Sequence, residues 1–228
     1  MKNTIFLILL LASATFAQHT FDLKNASKFF DIKVNVEKCD DTSCTGKATF
    51  SFYKKGGTKA YQVIALPDTY IDTSEGGVPA VNETMLYDKQ SVIVVDDFNF
   101  DGMEDVAICD GTNGGYGMPS FQIYLSSRAA GKFVHSPTFS ELGQHLGMFD
   151  VDKENKTIQY MDKSGCCWHE TTRYKVIGGR PVKVWILTED AMNFDEKANK
   201  RIVKTTEKTL VRGRWHSKVT VERVKDDN

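Results

Sequence analysis

Ser91-Val-Ile-Val-Val-Asp-Asp-Phe-Asn-Phe-Asp-Gly-Met-Glu-Asp-Val-Ala-Ile-Cys109 is the stretch on which the reading of this chain turns. Its two ends, Ser91–Val95 and Asp105–Cys109, are short and rich in β-branched residues, and they read as strands. The loop between them places Asp97, Asn99, Asp101 and Asp105 at positions one, three, five and nine, with Gly102 at six. A hard cation such as Ca2+ takes six to eight oxygens, and side chains at alternate positions of a tight loop can converge on one centre. Gly102 permits the sharp turn, and Met103 would offer its backbone carbonyl from position seven. Position twelve is Ile108 rather than glutamate, and strands replace helices on both sides, so this is no EF-hand. Such a site should be weak, on the order of 10⁻⁴ to 10⁻³ M. The competing reading is a polar hairpin turn that binds nothing, although three carboxylates this close repel one another without a cation.

Working outward, the chain is a series of short strands separated by turn residues. Further candidate strands are Ala48–Tyr53, Tyr61–Leu66, Ser120–Leu125, Thr157–Met161, Thr171–Ile177, Pro181–Leu187, Arg201–Val211 and Arg214–Val224. Gly178-Gly179 and Arg212-Gly213 are two-residue hairpin turns. In the last strand Trp215, Ser217, Val219 and Val221 share one face, the alternation of a half-buried strand. Ser140–Leu146 and Glu189–Asn199 are candidate short helices, and Asp68–Asn82 reads as a polar loop. No repeat period is regular enough to define propeller blades. The expected fold is all-β and antiparallel, as a barrel, a small irregular β-propeller-like domain or a β-sandwich.

Lys2, the apolar run Ile5–Leu11 and the small residues Ala12–Ala17 form a secretory signal peptide, with cleavage expected after Ala17. Residues 18–228 are then one exported domain, and Ile5–Leu11 is too short to span a bilayer. No cysteine follows the cleavage point, so no lipid anchor is expected. Losing Lys2 from 29 basic residues set against 30 acidic ones leaves a net charge of about −2, which argues against nucleic-acid partners. All five cysteines, Cys39, Cys44, Cys109, Cys166 and Cys167, are disulfide candidates in an oxidising compartment. Cys39 and Cys44 flank a turn-like tetrapeptide and should close a hairpin. For the other three, a vicinal Cys166–Cys167 bond or a bond to Cys109 are both open.

Two further strings are chemically distinctive. Cys109–Pro119 holds four glycines after the aspartate, with Tyr116 among Gly114, Gly115 and Gly117. Such bare backbone can enter a narrow cleft, and a tyrosine at its tip adds rigid area and a hydroxyl. A long β-turn explains the same composition. The second string, Ser164–Arg173, gathers Cys166, Cys167, His169 and Glu170. Zinc spacing is absent, and an exported thiol tends to oxidise, so a packed strand explains this string better than catalysis. No Ser-His-Asp order or nucleophile elbow is visible.

The strings 96–105 and 114–121, together with Gly147–Asp152, Ser164–His169 and Gly178–Val182, resemble the Xanthomonas-type periplasmic immunity proteins. This resemblance implies a β-propeller-like fold related to inhibitors of invertebrate-type lysozymes, with Ca2+ held by Asp97, Asn99, Asp101, Met103 and Asp105. It also implies a periplasmic protein that inhibits a peptidoglycan-cleaving, lysozyme-like glycoside hydrolase; a monomer without enzyme activity is expected, although the sequence does not fix the state of self-association. Gly114, Gly115, Tyr116 and Gly117 would form the inhibitory loop, with His169 and Arg173 as second contacts. The ion, a few residues upstream, would stiffen the junction between strand and loop. The alternative is a calcium-dependent carbohydrate-binding or adhesion module.

Overall fold

A computed structural model describes residues 19–74, 76–84 and 90–225, and the expected signal peptide lies outside them. Almost every residue pairing is antiparallel. The first sheet contains β1 (His19–Leu23), β2 (Phe30–Cys39), β3 (Ser43–Lys54) and β4 (Ala60–Leu66) in chain order, with β5 (Tyr70–Asp72) paired to β3. The second runs β6 (Ile93–Asp96), β7 (Asp105–Gly111), β8 (Ser120–Ser127) and β9 (Lys132–His135). Helix α1 (Pro137–Leu142) follows. The third sheet runs β10 (Asp150–Asp152), β11 (Thr157–Ser164), β12 (Trp168–Ile177), β13 (Arg180–Asp195), β14 (Lys200–Val211) and β15 (Arg214–Lys225).

Alternation explains the first sheet. Ile32, Val34 and Val36 of β2 stand opposite Phe52, Phe50 and Ala48 of β3 and turn the same way, into the core. Cys39 and Cys44 are a cross-strand pair, and their disulfide closes the β2–β3 hairpin as expected. Inside that turn the Asp40 carboxylate accepts the backbone N–H groups of Thr42 and Ser43.

Within the second sheet β6 and β7 are covered on both faces, which is why residues 92–95 and 106–109 are apolar without interruption, whereas β9 keeps an exposed side. Val92, Ile93, Val106, Ile108 and Phe133 pack against the first sheet. Val94, Ala107, Cys109, Phe121 and Ile123 turn the other way, onto Phe139 and Leu142 of α1, onto Phe149 and onto Ile158 of β11. One sheet therefore belongs to both apolar clusters. Gly143, which ends α1, lets the chain pass over β8, where a Cβ would meet the Phe121 carbonyl at 2.9 Å.

Three expectations are corrected here. The helix expected at Ser140–Leu146 lies at Pro137–Leu142, because Pro137 is suited to a first helical turn and Gly143 stops it. Glu189–Asn199 is not helical. Glu189 and Asp190 are paired on both sides as part of β13. Asn193, Phe194 and Asp195 extend it against β14 alone after a register shift between Asp190 and Asn193, and residues 196–199 form the turn into β14. The last strand is not half-buried: every residue of β15 is exposed. Its alternation is real, but nothing within the described residues covers either face.

Candidate functional site

The Asp loop joins β6 to β7. Asp97 accepts the N–H groups of Asp101 and Gly102, Asn99 accepts that of Asp101, and Asp101 accepts that of Met103. These bonds hold the oxygens of positions one, three and five inside the turn, with Phe100 at φ 58 and Gly102 at φ 86 closing it. Asp105 is fully buried. Its carboxylate accepts N–H groups from Phe98 and Ser126, with a longer contact from Asn99. Burial nevertheless pushes its pKa up to about 7, with Asp101's charge adding to the rise against those hydrogen bonds. The donors are hard oxygens, and the innermost carboxylate is held away from water, so the residues fit a hard cation by type and by their spacing along the loop. As they stand, no three His, Cys, Asp or Glu side chains among the described residues are gathered closely enough to hold an ion.

The Gly-Tyr loop joins β7 to β8 at the opposite end of the strand. β7 spans Asp105 to Gly111, a length of about 20 Å. The expectation that an ion a few residues upstream stiffens the Tyr116 junction directly is therefore corrected: a whole strand separates them. What fixes the loop is local. Gly114 to Gly117 form a tight turn in which the Gly117 N–H donates to the Gly114 carbonyl at 3.1 Å, and the Gly115 N–H donates to the His145 carbonyl at 2.7 Å. A Cβ on Gly114 would collide with that same carbonyl. His145 is itself held, with its Nδ1 2.8 Å from Asp162 Oδ1 and its ring stacked 3.5 Å from Tyr160.

Tyr116 sits at φ 58, a left-handed conformation that a bulky residue adopts at a strain of order 1–3 kcal/mol. Its side chain remains 63% exposed. The Gly165 N–H donates to its hydroxyl at 2.6 Å, and the Lys163 ammonium lies 4.8 Å from the ring centroid. The turn that supplies Gly165 also carries the Cys166–Cys167 disulfide, so of the two open pairings the vicinal one is present. Cys109 is a buried free thiol with its pKa raised by burial to about 11. The glycine-tyrosine and double-cysteine strings, some fifty residues apart, thus meet.

The two candidate second contacts separate. His169 pairs across β11–β12 with Lys163 and so borders the Tyr116 platform. Arg173 lies four residues further along β12, where it bonds Gln159 and rests 4.7 Å from the Trp185 ring centroid. Lys163 and the Asp162–His145–Tyr160 buttress went unnoticed in the sequence. Only the β11–β12 register brings them to the loop, and no local motif signals that.

No family model matches the chain, and no curated protein matches it by sequence. Among solved structures, a Xanthomonas type IV secretion system related protein is similar. The two superpose with a TM-score of 0.66 over 90% of this chain and 94% of the other, at 22% identity. What they share is the fold.

Proposed function

We propose that this chain is an exported, calcium-binding inhibitor of a peptidoglycan-cleaving, lysozyme-like glycoside hydrolase, acting in the periplasm as an immunity or defence protein. The observation that carries the reading is Tyr116, strained, exposed and pinned at its hydroxyl to the Gly165 turn. A lysozyme cleft is shaped for an extended sugar chain around two carboxyl groups. The Tyr116 hydroxyl accepts the Gly165 N–H, which leaves its own O–H to donate to a carboxylate. The exposed ring can take the place of a sugar ring, and a loop already held in one conformation loses little entropy on docking. Lys163 and His169 border the same surface and suit a target whose cleft is acidic. The likeness in fold to a secretion-system related protein of Xanthomonas is consistent with a role outside the cytoplasm.

Calcium, when bound, would neutralise the loop carboxylates and hold the β6–β7 turn closed. The residues that would hold it are Asp97, Asn99, Asp101 and Asp105, with the Met103 carbonyl. The test is clearance of a peptidoglycan suspension by a panel of lysozymes. Inhibition of at least one of them is expected, weakened about a hundredfold in Tyr116→Ala and unchanged in Arg173→Ala. Sugar binding without inhibition of any lysozyme would replace this proposal with a carbohydrate-binding module.

A further inference from the structure

Among the described residues β15 is a free edge of the third sheet, twelve residues long, unbroken by proline and with no register shift against β14. Natural edges are normally blunted by such interruptions. The β14–β15 turn fixes which backbone groups face out. Arg212 (φ 51) and Gly213 (φ 78) are both left-handed, which makes a type I′ turn closed by a hydrogen-bonded Val211–Arg214 pair. From Arg214 onward, even-numbered residues point their N–H and C=O groups at β14. Trp215, Ser217, Val219, Val221 and Arg223 point theirs away from the sheet.

We propose that this edge pairs with β15 of a second copy, antiparallel about a twofold axis through Thr220. In this register the outward backbone groups meet in matching pairs, Val219 opposite Val221 and Ser217 opposite Arg223. Lys218 of each copy then faces Glu222 of the other at non-hydrogen-bonded positions, where side chains approach most closely. Val219 and Val221 are 53% and 55% exposed in one copy. Side by side in two copies, they form an apolar strip at the centre of the interface. Neighbouring registers lack this agreement. An axis through Lys218 sets lysine against lysine, one through Glu222 sets glutamate against glutamate, and one through Val219 or Val221 leaves Lys218 without an acid opposite. The interface is isologous and closes at two copies. It joins two six-stranded sheets into one.

The test is the mass of the leader-free protein by light scattering and sedimentation, up to about 500 µM. A dimer is expected. Lys218→Glu and Glu222→Lys should each weaken it about tenfold or more, whereas the double charge swap restores it. An equimolar mixture of the two single variants should form a heterodimer. Val219→Pro removes an outward N–H that β14 does not use, so it should abolish pairing while leaving the melting temperature of the folded chain in place. A wild-type monomer throughout the range would overturn the proposal. So would a dimer that survives Val219→Pro or ignores the charge changes.

Discussion

The second sheet and the β13–β15 ribbon are both antiparallel meanders, yet they differ in everything that stabilises a sheet. β7 is buried on both faces between two apolar clusters, whereas β15 is exposed on both. The first owes its stability to packing. The second depends on hydrogen bonds along the ribbon and on pairs such as Trp185 Nε1–H donating to Glu207 and Arg223 with Asp195. Strand formation and core formation are thus separate achievements of one sequence.

The contrast can be tested first by truncation. Phe121→Ala, in the buried sheet, should lose about 3–5 kcal/mol in urea unfolding. Val211→Ala, exposed near the ribbon tip, should stay within about 0.5 kcal/mol. Equal losses would erase the distinction.

The next effect concerns the buried end of β7. In chelator, Asp105 has a folded pKa of about 7 against an ordinary 3.8, so the folded state binds the extra proton between those values. Its contribution to stability is full below pH 3.8 and is lost as pH rises towards 7. In chelator the chain should melt several degrees lower at pH 8 than at pH 5, by about 2–3 kcal/mol of stability. Added calcium should raise the pH 8 melting temperature more than the pH 5 value. Flat curves in chelator would remove the buried charge from the account, and an absent calcium effect would remove the ion.

Amide hydrogen exchange sharpens the comparison further. Val106–Cys109 should exchange only through global unfolding, whereas the outward N–H groups of β15 should exchange fast in monomer and slow on association. The smallest effect is expected at the loop. Tyr116→Phe deletes the acceptor of the Gly165 N–H but leaves that amide open to water, so stability should fall by less than about 1 kcal/mol. The Gly165 amide resonance should nevertheless shift.

The same contrast explains what could be read from sequence. Unbroken apolar runs around the Asp loop announced β6 and β7, and Gly178-Gly179 and Arg212-Gly213 announced the β12–β13 and β14–β15 hairpins but not the β13–β14 one. β2 was missed although Ile32, Val34 and Val36 alternate cleanly, because the polar Lys33 and Asn35 between them interrupt the apolar run. The β15 alternation was legible, but burial needs a covering layer, which no strand encodes for itself. Tyr116 and its glycines stood out by composition. Their anchor on Gly165, the neighbouring Lys163 and the separation from the Asp loop arise from strand register and length, which local patterns do not carry.

Within each sheet, hydrogen-bonded neighbours are, apart from β5, successive in the chain. A polypeptide delivered amino end first can therefore complete one meander before the next has emerged, without holding long unpaired segments in waiting. Order of appearance and order of assembly coincide, and only the docking of finished layers is left for the end.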